Sequence, residues 1–311
     1  MSSPPLLRGA PARTDTTDNA RTDTTAAGIT GPDPHGPGAA ELAVIAGRIR
    51  EHVVAMCAGP EGGHLGGSMS LVEILSVLYF RVMRHDPRFP GLPERDVLLL
   101  SKGHGGIALF AALCEAGYFP AESLEEYARP GSHFMAHPHP EIPGVEIASG
   151  SLGHGLALGV GYALANRLDG SDRRCFVVMG DGELQEGSVW EAASVASAHR
   201  LAGLTAIVDR NGLQITGGTE TVNSLEPLAD RWQAFGWRVL ETDGHDAEAL
   251  TEALTRPADP RRPTVVIAHT VKGKGVPFIE GQARSHYARL SGRQHLRALN
   301  AVRASAGGDP R

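Results

Sequence analysis

Phe176-Val177-Val178-Met179-Gly180-Asp181-Gly182-Glu183 and, further on, Thr205-Ala206-Ile207-Val208-Asp209-Arg210-Asn211 decide the fold of this chain. Each is a short apolar run that breaks into polar residues at its carboxyl end, and neither alternates apolar with polar. A strand that reads this way is covered on both faces, as in a parallel sheet with helices on either side. The stretch between them, Glu186–Arg200, has the apolar spacing of a helix. Strand, crossover helix and strand together deliver Asp181 and Asn211, thirty residues apart (211 − 181), to the same edge of one sheet.

Working outward, three more apolar runs repeat the pattern: Val97–Leu100, Trp237–Leu240 and Thr264–Ala268. Helical stretches are expected near Gly103–Ala116, Leu152–Leu168, Leu225–Phe235 and Ala247–Leu254. Upstream, Leu42, Ile45, Ile49 and Val53 recur at helical spacing in a helix that must end before Gly59-Pro60, and a second helix over 70–82 follows the glycine-rich turn at 62–67. The fold class is therefore α/β, a doubly wound, mainly parallel sheet flanked by helices, in which ligands bind beyond the carboxyl ends of the strands. Residues 1–38, rich in Thr, Asp, Pro, Gly and Ala, lack the apolar content to offset their ordering entropy and read as a disordered tail. Residues 39–290 read as the binding domain and 291–311 as a C-terminal extension.

A formal net charge of −6, with no block of basic residues, gives no electrostatic footprint for nucleic acid or a membrane surface. Cys57, Cys114 and Cys175 are odd in number and widely spaced, which suits small buried hydrophobes in a reducing cytoplasm. The amino terminus lacks the apolar core of a secretory signal, and the sequence has no bilayer-length apolar run. Apart from Lys102, Lys272 and Lys274, every fixed positive charge is arginine.

The carboxylate of Asp181 and the amide oxygen of Asn211 are hard donors suited to a magnesium ion that also holds phosphate. Gly180 and Gly182 let backbone approach such a phosphate, and the helix start that follows offers free amides. Taken with its spacing and its flanking strands, Gly180-Asp181-Gly182 through Asn211 resembles the thiamine diphosphate motif, and Gly180–Gly187 is similar to the transketolase form of it. Four further segments resemble the same family in the same order. They are Gly63–Ser68, Ser101-Lys102-Gly103-His104, the region from His139-Pro140-Glu141 to Gly150-Ser151-Leu152-Gly153-His154-Gly155, and Lys272-Gly273-Lys274-Gly275 with His286.

The resemblance implies a thiamine-diphosphate-binding fold of the diphosphate-holding type and assigns the site residue by residue. Asp181, Asn211 and the main-chain oxygen of Leu213 would hold Mg2+, or another divalent cation such as Ca2+ or Mn2+. His104, Gly150, Ser151, Leu152, Asp181, Gly182, Glu183, Asn211 and His286 would contact the cofactor. His64, His104, His139 and His286 would be the catalytic histidines, with His139 on a hydroxyl of the donor sugar. The histidines at 35, 52, 85, 199, 245, 269 and 295 read as structural or surface residues.

In this family the cofactor serves as an electron sink while a two-carbon ketol unit moves from a ketose or its phosphate to an aldose. A glutamate that activates the aminopyrimidine lies in a separate pyrimidine-binding domain. With the chain ending at Arg311, that glutamate is expected from a partner, the C-terminal transketolase subunit, in an α2β2 heterotetramer. Ala136-His137-Pro138 replaces the usual glycine just ahead of His139, and Tyr287 follows His286 where the family usually has glycine, so a specialised ketol or acyl transfer in a biosynthetic pathway is an alternative. A non-catalytic regulatory subunit is another. Zinc on His133, His137 and His139 is a weaker reading, because the prolines at 138 and 140 make the segment an extended loop without a helical H-E-x-x-H arrangement.

Overall fold

The computed structural model describes residues 36–306. The expected tail falls outside them except for residues 36–38, where the Gly36 and Pro37 carbonyls accept hydrogen bonds from Arg81 (3.1 and 2.8 Å). Helix α1 (Ala39–Cys57) buries Leu42, Ile45, Ile49 and Val53, the stripe its sequence spacing defines. Each fully buried side chain of this kind contributes about 1.5–3 kcal/mol. Two short helices follow, α2 (Leu65–Met69) and α3 (Val72–Val77), the latter running into a π turn at Leu78–Val82. The glycine-rich segment expected as a turn is thus helical from Leu65, because Leu65 and Met69 are drawn fully into the core.

Strand β1 (Val97–Leu100) leads through a 3-10 turn at Gly103–Gly105 into α4 (Gly106–Glu115). After a long loop come α5 (Gly155–Leu168), β2 (Cys175–Gly180), α6 (Gly187–Ala198) and β3 (Leu204–Arg210). A small antiparallel hairpin, β4 (Leu213–Gln214) with β5 (Gly217–Gly218), precedes α7 (Thr219–Val222) and α8 (Leu228–Ala234). Then come β6 (Arg238–Asp243), α9 (Ala247–Thr255), whose first turn is capped by Asp246, β7 (Thr264–His269) and α10 (Gly292–Ala306).

The main sheet has the order β1-β2-β3-β7-β6, and every pairing in it is parallel. Successive side chains alternate faces. Leu98, Leu100, Phe176, Val178 and Ile207 join a core with α1, α3, α4 and α9, whereas Val97, Leu99, Val177, Met179 and Val208 join one with α5, α6 and α8. Both faces are covered, which is why these runs read as continuously apolar.

The exception is β6. Its sequence reads as a central strand, but like β1 it lies at a sheet edge, and unlike β1 it leaves residues partly exposed, since its apolar run gives way to Glu241-Thr242-Asp243. The C-terminal extension continues the same core: Ala298 and Val302 of α10 are buried, and Arg303 pairs with Glu51 of α1 at 2.7 Å. Among the described residues no helix is long and apolar enough to cross a membrane.

Candidate active site

The parallel sheet aims the carboxyl ends of its strands at one cavity of about 400 Å3, lined by segments from well-separated parts of the chain. Clefts of about 590 and 650 Å3 lie elsewhere, but neither opens onto Asp181. Register places Gly180 beside Asp209, so the residues that follow on the two strands emerge side by side. Asp181 is buried, its Oδ2 accepting from Gly212 N at 2.5 Å and from Arg210 at 3.1 Å, and its Oδ1 from Gly182 N at 2.8 Å. Gly212, at φ 75°, makes the left-handed turn that points its amide at Asp181 and carries Asn211 and Leu213 to the cavity wall. Burial first, then the neighbouring Asp209, raises the Asp181 carboxyl above the usual range.

Beneath the cavity lies a saturated polar layer. Lys102 and Asp209, both fully buried, form an ion pair. Lys102 Nζ also donates to Gly67 O at 3.1 Å, and Asp209 accepts from the Ser70 hydroxyl at 2.6 Å and from the Thr270 hydroxyl. Burial alone would raise the Asp209 carboxyl, but Lys102 and the two hydroxyls outweigh it and hold it below the usual range. Asn211 Nδ2 reaches the same carboxylate at 3.4 Å, while its Oδ1 accepts from Leu213 N at 3.1 Å.

The wall above is basic and under-compensated. Lys272, 2% exposed, donates to Leu213 O and meets His286 Nδ1, each at 3.2 Å. Burial and then Lys102 push its ammonium down to about 8. The His286 ring lies 5.0 Å from that of His104 and 5.4 Å from that of His64. Burial and the surrounding positive groups depress His64 and His286 to about 4, and His104 further still. His64 Nδ1 is buried without a hydrogen-bond partner among the described residues. The His286 segment reaches this wall because Gly66 has no side chain: a Cβ there would meet Ser285 Oγ at 2.5 Å.

Of the residues expected from sequence, His64, His104, Gly150, Leu152, Asp181, Gly182, Glu183, Asn211, Leu213 and His286 all line the cavity. Three do not act as expected. His139 is exposed outside it, and His137 takes the inward place with its ring 5.6 Å from His64. The extended backbone through Pro138 sends neighbouring imidazoles to different sides, so the three-histidine zinc cluster does not form. Ser151 is also exposed, on a separate shallow cleft.

Glu183 is 1% exposed and its carboxylate is committed to the protein. It accepts from Gly153 N at 2.9 Å, Gly180 N at 3.1 Å and the Ser101 hydroxyl. It therefore ties three site loops together instead of offering a free contact. Lys102, Lys272, His137 and Gln214 also line the cavity, although the motifs assign them no role there. The scarcity of lysine is the available signal, and it points correctly to two of the three, Lys274 lying in another cleft.

These features fit a diphosphate ester with a hard cation. The wall carries an orphaned imidazole and positive groups that depress one another, the signature of a site built for an anion. Asp181, the Asn211 amide oxygen and the Leu213 carbonyl are the hard oxygens that magnesium or calcium prefers. Fold and cavity thus define a protein that holds a phosphorylated ligand at the carboxyl edge of a doubly wound sheet.

The chain belongs to the transketolase family: residues 43–310 match the model of the transketolase thiamine diphosphate binding domain. It is 46% identical over 231 residues to the 6-deoxy-6-sulfo-D-fructose transketolase subunit SqwG of a Clostridium strain, covering 74% of this chain and 84% of that protein. It is 42% identical to one subunit of the apulose-4-phosphate transketolase of Phocaeicola vulgatus, over 81% of this chain and 90% of the relative. Among solved structures, the transketolase of Campylobacter jejuni superposes with a TM-score of 0.79 at 34% identity, covering 87% of this chain but 43% of that one. The chain thus spans about two fifths of the length of that solved transketolase.

Proposed function

We propose that this chain is the cofactor-anchoring subunit of a two-chain transketolase, transferring a two-carbon ketol unit from a ketose or ketose phosphate to an aldose. The observation that carries the reading is the meeting of Asp181 with the Asn211–Leu213 turn in one cavity, joined by the Gly212 amide at 2.5 Å. Asp181, Asn211 and Leu213 O would hold a divalent cation, Mg2+ first among the candidates, and His104, His286 and Lys272 would donate to the diphosphate. Lys272, which now donates to the Leu213 carbonyl at 3.2 Å, would be available to a phosphate oxygen if a cation took that carbonyl.

Bound thiamine diphosphate supplies an electron sink while a carbon–carbon bond of the ketose breaks. The chain's own contribution is placement and proton handling. His64, kept neutral by burial and by its positive neighbours, would take a proton from a sugar hydroxyl, and His137, its ring 5.6 Å from that of His64, would bind one.

A partner chain supplies the pyrimidine-binding domain and its glutamate, giving an α2β2 assembly. One observation supports this: relatives that this chain spans over 84–90% of their length are themselves named as subunits. Three free cysteines suit a cytoplasmic location. The two relatives are named for different ketoses, in keeping with donor choice being set largely by the partner. The test is reconstitution: with magnesium and thiamine diphosphate the purified chain gives no ketol transfer from a ketose phosphate until a pyrimidine-domain subunit is added. Full activity from the chain alone overturns the two-chain reading.

A further inference from the structure

The histidine that left the cavity has a second set of neighbours. Among the described residues, His133, His139 and Glu141 are the one group of potential metal-ligating side chains whose ligand atoms all lie within 4.8 Å of one another. His133 Nδ1 is 2.5 Å from Glu141 Oε2, and His139 Nδ1 is 3.5 Å from the same oxygen. The two imidazoles stack at 6.3 Å with 23° between their planes, and Nδ1 is in each ring the nitrogen near Glu141, that of His139 also accepting from Glu141 N at 3.4 Å.

The backbone beneath them is fixed. Phe134 packs edge-on against Phe110 and Phe119 at 5.5 and 5.1 Å, Pro138 and Ile142 are buried, and Ile142 N is bonded to His139 O at 3.0 Å. All three ligand side chains stand more than half exposed on this pinned loop, open to an ion from solvent.

We propose that His133, His139 and Glu141 form a second metal site, for a divalent cation of zinc type, on the outer side of the loop that carries His137 into the cavity. Zinc bonds of about 2.0–2.2 Å to imidazole nitrogen and carboxylate oxygen place neighbouring tetrahedral ligands roughly 3.3 Å apart. The His139–Glu141 contact already has that span, and the His133–Glu141 contact needs to open by less than about 1 Å. Any proton on a ligating nitrogen or oxygen leaves to solvent as the metal binds. Two nitrogen ligands disfavour magnesium, which prefers an all-oxygen shell, so the two sites sort different cations. Three protein ligands leave a fourth position to water. The ion would clamp residues 133, 139 and 141 around His137, restricting the loop that presents it. This site stands whether or not the cavity holds thiamine diphosphate.

The test uses the full chain, stripped with chelator and then titrated with Zn2+ in excess magnesium, which competes for the oxygen ligands of the cavity. Calorimetry and metal analysis should find one zinc per chain in the wild type and in His137→Ala. The His133→Ala/His139→Ala variant should bind more than about 100-fold more weakly, beyond the roughly 10–100-fold that loss of an outer-shell partner causes. Co2+ in place of zinc should give the visible absorption of a tetrahedral centre, absent from the double variant. Zinc uptake unchanged in the double variant, loss of zinc in His137→Ala, or uptake by the wild type only at millimolar zinc each overturns the proposal. Both substituted positions are exposed, and circular dichroism checks that the double variant is folded.

Discussion

The floor and the wall of the cavity are built from the same kinds of residue to opposite effect. In the floor, Lys102 meets Asp209, and the remaining oxygens are filled by Ser70 and Thr270. In the wall, Lys272 meets only a carbonyl and an imidazole, the nearby histidines are pushed away from protonation, and His64 Nδ1 has no partner among the described residues. The floor closes its own ion pair and serves the fold, while Lys102 still disfavours positive charge on the wall. The wall lacks an anion and serves a ligand. A buried charge is stabilising only with its partner present, so substitutions in the two layers should separate stability from binding.

The largest effect is expected in the floor. Asp209→Ala leaves Lys102 uncompensated in the core and should lower unfolding free energy by about 3–5 kcal/mol, read as a shift of the denaturant midpoint. A loss under about 1 kcal/mol would mean that the floor is not the closed pair described here. In the wall, Lys272→Met should leave stability unchanged or raised, since it removes a desolvated charge, while weakening diphosphate binding at least about tenfold. Equal losses of stability and affinity would erase the distinction.

Acid gives a smaller, graded test. His64 and His286 resist protonation until about 4 in the native chain but titrate near 6.5 when unfolded. The unfolded state therefore binds more protons between those values, and this contribution to stability falls as pH drops from about 6.5 towards 4. Inorganic diphosphate should flatten that part of the melting-temperature profile by favouring the charged imidazoles. A His64→Gln/His286→Gln variant should show a shallower slope without it.

The frame that carries this contrast is legible in the sequence, for reasons that can be named. Strand runs apolar on both faces fix a parallel sheet, and a parallel sheet with one crossover helix brings Asp181 and the Asn211 turn to one edge; no finer geometry is needed. The rest depends on which way a side chain turns. His139 and His137 are equivalent in a sequence without periodicity, and only the packing of Pro138 and Ile142 decides which imidazole faces in. Glu183 reads as a free contact because its commitment to Ser101, Gly153 and Gly180 joins segments far apart in the chain. Lysine scarcity marks Lys102 and Lys272, yet only the structure shows that one is neutralised and the other is not.

The central claim, that Asp181 and the Asn211–Leu213 turn grip a divalent cation under the diphosphate, is tested most directly by calorimetry of thiamine diphosphate binding with and without magnesium. For the wild-type chain, or its complex with the partner, magnesium should tighten binding by at least about tenfold, and Asp181→Ala should abolish that gain while keeping the circular dichroism of the folded protein. Magnesium-dependent affinity that survives Asp181→Ala unchanged would contradict it.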